Sequence, residues 1–223
     1  MRGGVEQPEK WDAIARSLDR PGAPVARVRQ VHGSAVRLEK WGRPFSAERP
    51  EADAIVSDRR DVVLAVQVAD CVPLLVADAR TGAVAAIHAG WRGACARVTP
   101  AALEVMAREC GSRTSDLVVA VGPSIGPCCY EVGPELVVAF EDAGHAAGDI
   151  ARWFTRVDME GPTGGSLRLD VARANVDQLI AAGVPADRIH ACGFCTKCHP
   201  DVFDSYRAAG AAAGRMAAAI ARE

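Results

Sequence analysis

The stretch QVADCVPLLVADARTGAVAAIHAGWRG, residues 67–93, decides how this chain folds. It holds two apolar runs, residues 72–76 and 83–87, on either side of a turn-prone segment at 78–82. Runs of that length bounded by turn residues predict two strands of a small sheet. Asp70 and Cys71 precede the first run and His88 follows the second, so a thiol and an imidazole are delivered to the edges of the sheet. Immediately beyond, Ala89-Gly90-Trp91-Arg92-Gly93 leads into helix-compatible sequence. A glycine-flanked arginine where a helix begins suits an anion, because backbone N–H groups there lack partners.

Outward from this stretch, residues 62–68 form the most β-prone run and predict a buried strand. Upstream, Trp11, Ile14, Ala15 and Leu18 stand at helical spacing before a turn signal at 19–22, which predicts a short amphipathic helix. Residues 25–31 and 35–38 read as two strands broken at His32-Gly33, and 43–51 as a surface loop. Downstream, Thr99 followed by Pro100 predicts an N-cap, and Leu103, Met106 and Ala107 carry that helix to Gly111.

Residues 117–121 predict another strand, running into 122–133, whose glycines and prolines forbid regular structure and predict a shaped loop. A short helix is expected at 134–140, then a loop-rich stretch at 143–165 anchored by Trp153 and Phe154. Asp170 is read as the cap of a helix with the stripe Ala172, Val176, Leu179 and Ile180. The alanine-rich residues 208–223 read as helix by propensity. With no internal repeat and no linker, one domain over 1–223 is expected.

The totals narrow the classes of function. At 49% hydrophobic and 24% charged residues, the 223-residue chain can bury a sizeable core. A formal net charge of −2 and the lack of a long Lys/Arg run argue against a nucleic acid partner held through its phosphates. Neither a signal-peptide pattern nor an uninterrupted apolar span is visible, so a cytoplasmic protein without a membrane partner is expected. In that setting the 8 cysteines read as free thiols, metal ligands or a nucleophile.

His32, Cys71 and His88 each end an apolar run. Two imidazoles and a thiolate make a three-ligand catalytic zinc set, with a fourth position for water whose pKa falls to around 7. The same residues also fit a Cys71 nucleophile activated by His88 or His32, or a core cysteine beside two structural histidines. Asp70 could orient a histidine, move a proton or serve as a turn residue. Arg92 is a candidate clamp for phosphate or carboxylate, or a solvated surface side chain, and Trp91 could stack on a base or pack in the core.

The segment Cys192-Gly193-Phe194-Cys195-Thr196-Lys197-Cys198-His199 ends in the C-x-x-C-H pattern of c-type haem attachment. It also offers a second metal or redox site, alone or with Cys128 or Cys129, against the alternative of incidental thiols. His145 and His190 have no partner suggested by the sequence and read as surface or structural residues.

Taken together, QVHG (30–33), EADAIVSD (51–58), QVADCVPLLVAD (67–78), AAIHAGWRG (85–93), AVGPSIGPCCYEVG (120–133), LDVARANVDQLIAAGV (169–184), and CT (195–196) with FDSYR (203–207) resemble the YfiH family, also called the laccase-domain or multicopper polyphenol oxidase family. The resemblance spans nearly the whole chain. It implies an α+β fold of four layers, α/β/β/α, with two facing mixed sheets related to cysteine hydrolases. By motif, it implies zinc ligands at His32, Cys71 and His88, with copper as the alternative metal. It further implies a purine nucleoside phosphorylase acting on adenosine, inosine and methylthioadenosine, with adenosine deaminase activity in the same site. The partners would then be a purine nucleoside and phosphate, with Arg92 and Arg207 as anion contacts and Asp70 as an acid near the purine.

Where the resemblance leads to a strand through Gly214-Arg215-Met216 and the residues after it, it opposes the helix that propensity suggests for 215–220, and the strand is the expectation kept. Two departures stand out: the family pattern begins further upstream than Arg2-Gly3-Gly4-Val5, and Ala208 follows Arg207 where a second arginine is common. The rival functions are a copper-dependent polyphenol oxidase, for which 5 histidines are few, a cysteine hydrolase or peptide-editing enzyme using Cys71, and a nucleoside-binding module without turnover.

Overall fold

Residues 67–93 fold as the hairpin their pattern predicts, at the middle of the largest sheet, while Glu131–Val132, Phe154–Val157 and Ser166–Leu169 form a separate small antiparallel sheet. The computed structural model describes residues 8–157 and 166–223, so the segment Arg2-Gly3-Gly4-Val5 and residues 158–165 of the expected loop lie outside them. In chain order the strands are β1 (Val25–Ala26), β2 (Val36–Glu39), β3 (Ala54–Ser57), β4 (Val63–Val68), β5 (Val72–Asp78), β6 (Val84–Ala89), β7 (Leu117–Val121), β8 (Glu131–Val132), β9 (Phe154–Val157), β10 (Ser166–Leu169), β11 (Ile189–Ala191) and β12 (Met216–Ala221). The helices are α1 (Pro8–Ser17), α2 (Trp91–Cys95), α3 (Val98–Cys110), α4 (Glu135–Asp142), α5 (Ala147–Trp153), α6 (Val171–Ala181) and α7 (Tyr206–Ala209).

Six strands form a mixed sheet in the order β11-β7-β5-β6-β3-β2, and a three-stranded sheet, β1-β4-β12, faces it. Side-chain alternation explains why both faces of the central strands are apolar. Ala54, Val56, Leu74, Val76, Ala85 and Ile87 point to one face and pack with Val98, Ala102, Leu103 and Met106 of α3. Ile55, Val84 and Ala86 point to the other and pack with Leu64 and Val66 of β4. Beyond α3 lies α6, while α1 attaches beside β1, where the Arg27 guanidinium lies 4.3 Å from the centre of the Trp11 ring. The result is the expected α+β arrangement of helices on two facing mixed sheets. By the same alternation, Asp53, Cys71 and His88 share the parity of the face between the sheets, at its open end.

Residues 216–221 form strand β12, as the resemblance implies and against intrinsic propensity, antiparallel to β4, with Ala218 and Ile220 against the core between the sheets. Alanine's helix propensity is a few tenths of a kcal/mol per residue, and the open edge of β4, whose N–H and C=O groups need partners, outweighs it. Thr99 is not a cap, since α3 begins at Val98 after Arg97 in the left-handed conformation, and Thr99 Oγ1 donates instead to Asn175 Oδ1 at 2.8 Å. Part of the stretch read as loop is helix α5, although Trp153 and Phe154 are buried as expected. Asp170 does cap α6, accepting from Arg173 N, but the buried stripe is Val171, Ala174, Asn175, Gln178 and Leu179, which leaves Ile180 at the surface.

Asp177 joins α5 to α6. Its carboxylate accepts from Trp153 Nε1 at 2.9 Å, Arg173 Nε at 2.6 Å and Arg152 Nε at 3.3 Å. Burial pushes its pKa up, but the Arg173 and Trp153 donors outweigh this and hold it below the usual carboxylate range. A depressed folded-state pKa means stability that is present at neutral pH and lost as pH falls through that value. Asp177→Asn should therefore lower stability by roughly 1–3 kcal/mol at neutral pH, with the gap closing in acid. Urea unfolding of both proteins across a pH series checks this, and a gap independent of pH would contradict it.

Candidate metal centre

Three separate elements bring His32, Cys71 and His88 together, so that one ligand atom from each lies within 4.8 Å of the others. His32 Nε2 is 3.7 Å from Cys71 Sγ, and the two imidazoles meet edge to face with centroids 4.8 Å apart. Cys71 directly precedes β5, and Pro73 of β5 pairs with His88 of β6, so the hairpin register alone brings the thiol and this imidazole to the same end. His32 arrives on a turn before β2, with φ of 62°, a region where non-glycine residues are uncommon.

One buried carboxylate organises this arrangement. Asp53, fully buried, accepts the backbone N–H of Val31 at 3.2 Å, of His32 at 2.9 Å and of Gly33 at 2.7 Å, and so holds the strained turn. Its Oδ1 also accepts Nδ1–H of His88 at 2.8 Å. That bond fixes the ring and leaves Nε2 as the His88 atom available to the site. Gln30 clamps the same turn to β4, donating to Gln67 O at 2.7 Å and accepting from Gln67 N at 2.8 Å.

The electrostatics form a chain. Burial pushes the Cys71 thiol up, but His32 and His88 outweigh it and bring it down to about 7. Burial pulls His88 down, yet the bonds to Asp53 and Cys71 raise it to about 9. Burial likewise raises Asp53, and the bonds from His88, Gly33 and His32 bring it below the usual range. These shifts favour the thiolate form of Cys71 beside a protonated His88 backed by the Asp53 carboxylate. The deprotonated thiol that a metal needs is available near neutral pH.

The donor set fits zinc. Two imidazoles and one thiolate converge, and the second nitrogen of His88 is held by a carboxylate, the usual partner of a metal-ligating histidine. Gly90 keeps the space clear, since a Cβ there would sit 2.8 Å from Cys71 Sγ and 3.0 Å from His32 Cδ2.

The three residues open onto a pocket of about 660 Å³, within the range of small-molecule sites. Three arginine–aromatic pairs contribute to its walls: Arg92 lies 4.3 Å from the centre of the Trp91 ring, Arg207 5.0 Å from Tyr130 and Arg215 5.8 Å from Tyr206. Arg207 Nη1 also donates to Glu131 O at 2.8 Å. Burial, then the nearby Cys71, pushes Tyr130 up to about 12, so its hydroxyl keeps its proton. Asp70 is buried, with φ of 84°, and both its oxygens are engaged: Oδ1 accepts from Thr196 Oγ1 at 2.6 Å and Oδ2 from Arg207 N at 2.6 Å.

Asp53, Tyr130, Tyr206 and Arg215 were not singled out in the sequence. For Asp53 a signal existed, since it is a carboxylate immediately before an apolar run that becomes the fully buried β3, a place where a solvated charge would not be left. Among the other candidates, Cys192 is exposed, and His199 turns its Nδ1 to Cys195 O at 3.0 Å and packs edge-on against Phe194. His145 packs between Phe140 and Trp153, as a structural histidine would, and His190 lies on the exposed strand β11.

Compared with known families, the chain matches the model described as multi-copper polyphenol oxidoreductase laccase over residues 7–223. The chain belongs to this family. A relative named adenosine deaminase RL5, from an unknown prokaryotic organism, is 36% identical over 201 residues, covering 87% of this chain and 74% of that protein. A purine nucleoside phosphorylase of Bacteroides thetaiotaomicron is 36% identical over 168 residues, 75% of this chain and 60% of that protein. The crystal structure of the Bacillus licheniformis hypothetical protein YfiH aligns with a TM-score of 0.85 and 26% identity, over 96% of this chain and 80% of that one. The YfiH-like fold is thereby shown for this member of the laccase-like family. No helix among the described residues is long and apolar enough to cross a membrane.

Proposed function

We propose that the chain is a zinc-dependent purine nucleoside phosphorylase acting on adenosine, inosine and methylthioadenosine, with adenosine deaminase activity in the same pocket. The observation that carries this reading is the convergence of His32, Cys71 and His88 on a pocket walled by stacked arginine–aromatic pairs. The names of the relatives support it. His32, Cys71 and His88 would hold the zinc, which when bound supplies Lewis acidity and lowers the pKa of water to around 7.

The chain's own residues do the rest. The ring of Trp91 offers a face on which a purine can stack. Arg92 and Arg207 suit phosphate, since a guanidinium donates to it in pairs, and Arg215 supplies a further cation where Ala208 lacks one. In phosphorolysis a phosphate oxygen forms a bond to ribose C1′ as the bond from C1′ to the purine nitrogen breaks. The electron pair leaves on the purine, which then takes up a proton, and the protonated hydroxyl of Tyr130 is available as a donor. Asp70, with both oxygens engaged, serves by placing Arg207 and the Thr196 loop beside Cys71. In deamination, water adds to purine C6 and ammonia leaves. We also take the protein to act in the cytoplasm, where its free cysteines persist.

The test is elemental analysis of protein purified without chelators, paired with chromatography of adenosine reactions with and without phosphate, for wild type and Cys71→Ala. The expected result is phosphate-dependent adenine and phosphate-independent inosine. Cys71→Ala should lose about one zinc per chain and both products. Unchanged zinc content in Cys71→Ala, or no adenine or inosine from wild type, would sink the reading. Nucleoside binding without either product would point to a binding module, and copper-dependent oxygen consumption to a phenol oxidase.

The thiolate–imidazolium pair specifically favours a second reading, a Cys71 nucleophile. A substrate-derived acyl adduct on Cys71 in metal-free protein would establish it.

A further inference from the structure

A second constellation of sulfurs lies outside the centre just described. Strands β7 and β11 are parallel neighbours, so the loops that follow them, 122–130 and 192–205, leave the same end of the sheet side by side. An isolated bridge between Ser124 and Cys195 continues the pairing, with Ser124 N donating to Phe194 O at 3.3 Å and Thr196 N to Ser124 O at 3.0 Å. The first loop carries Cys128 and Cys129, and the second carries Cys195 and Cys198. Their four sulfurs all lie within 4.8 Å of one another.

The spacing is that of ligands around one ion. At a zinc–sulfur distance of about 2.3 Å, the edge of a tetrahedron of sulfurs is about 3.8 Å. Cys128 Sγ is 3.6 Å and Cys129 Sγ 3.4 Å from Cys198 Sγ, far beyond the roughly 2.05 Å of a disulfide. The surrounding backbone is shaped for thiolates. Gly126 N donates to Cys195 Sγ at 3.3 Å, and a Cβ on Gly126 would stand 3.3 Å from both Cys128 Sγ and Cys195 Cβ. Cys198 N donates to Cys195 O at 3.2 Å, which closes the C-x-x-C turn. Burial and then the adjoining sulfurs push Cys128 up to about 12, whereas the Gly126 and Cys198 N–H groups help bring Cys195, despite burial, down to about 7. Four thiols at this density oppose one another's ionisation until a cation is among them.

We propose that Cys128, Cys129, Cys195 and Cys198 form a second, structural zinc site, closed by four thiolates, that staples the loop lining the pocket to the loop leading into α7. The closed donor set separates it in kind from the three-ligand centre. Its place gives it a purpose. The first loop contributes Ile125 and Tyr130 to the pocket, and the second leads to Tyr206 and Arg207. Thr196, between the two cysteines of the turn, donates to Asp70, the neighbour of Cys71. Cys192 and His199, which the sequence pattern grouped with these cysteines, are not part of it.

Zinc analysis and X-ray absorption of full-length Cys71→Ala, expressed with zinc and purified with reductant and without chelator, test the proposal independently of activity. The expected result is about one zinc per chain with a shell of four sulfurs at about 2.3 Å. Wild type should hold one more zinc than Cys71→Ala, and Cys195→Ser should lose the four-sulfur signal. Should Cys195→Ser fail to fold, the Cys71→Ala spectrum decides alone. Zinc-free Cys71→Ala whose four thiols react at once with a thiol reagent, a disulfide among them, or iron bound in preference to zinc would each overturn the proposal.

Discussion

Asp53→Asn should weaken zinc binding by roughly 10- to 100-fold, the effect of losing the carboxylate behind a metal-ligating histidine. The native carboxylate accepts four N–H groups, three from the backbone of residues 31–33 and one from the His88 ring. An asparagine keeps one acceptor oxygen and turns an NH2 group toward donors, so at least one buried N–H is left without a partner. Each such loss costs roughly 1–3 kcal/mol. The turn carrying His32 should loosen and His88 should lose its fixed orientation, so stability and metal affinity fall together. Competition with a chromogenic chelator measures the affinity and thermal unfolding the stability. An Asp53→Asn protein that holds zinc as tightly as wild type would show that the carboxylate is only a packing feature.

Gly90→Ala should lower kcat/KM by about 100-fold, the scale expected when reacting groups are displaced by about 1 Å. The backbone there is ordinary, with φ of −74° and ψ of 179°, so an alanine brings no conformational strain. Its methyl group would instead fall 2.8 Å from Cys71 Sγ and 3.0 Å from His32 Cδ2, distances at which the thiol or the imidazole must move. Relief by small shifts limits the loss of stability to roughly 1–3 kcal/mol, the usual range for one added methyl group in a packed site. A large fall in activity and zinc occupancy with a modest change in unfolding temperature is the expected signature. Activity within twofold of wild type would mean that the thiol and imidazole need not approach as closely as they do here.

The two substitutions probe features that differ in how far the sequence reveals them. Gly90 stands in the conspicuous run before Trp91, and its meaning becomes steric only when Cys71 and His32 arrive beside it. Asp53 sits in a segment whose resemblance to a family is visible, but its bond to His88 spans 35 positions. Elements set by local pattern were legible: the hairpin β5–β6, the buried strand β4, strand β7 and the Asp170 cap all follow from apolar runs and turn or cap residues. Elements set by distant partners follow neither propensity nor periodicity, and for β12 it is the resemblance that gives the strand. The alanines of β12 are helical by intrinsic preference and extended because β4 offers an edge. The stripe of α6 is rotated because Asn175 and Gln178 turn inward to Thr99 and the Ala94 carbonyl.

By itself the sequence determined where the central hairpin begins and ends, and therefore that Cys71 and His88 stand at the same end of it with a thiol and an imidazole to offer. Strand parity and hairpin register are local properties, settled by alternation and a turn of a few residues. Tertiary structure alone decided that Asp53 backs His88, that Asp70 holds Thr196 and Arg207, and that four cysteines from two loops share one place. Those contacts depend on which strands lie side by side, and the pairing of β7 with β11 across some 70 positions is fixed by burial of the whole sheet rather than by any pattern within either strand.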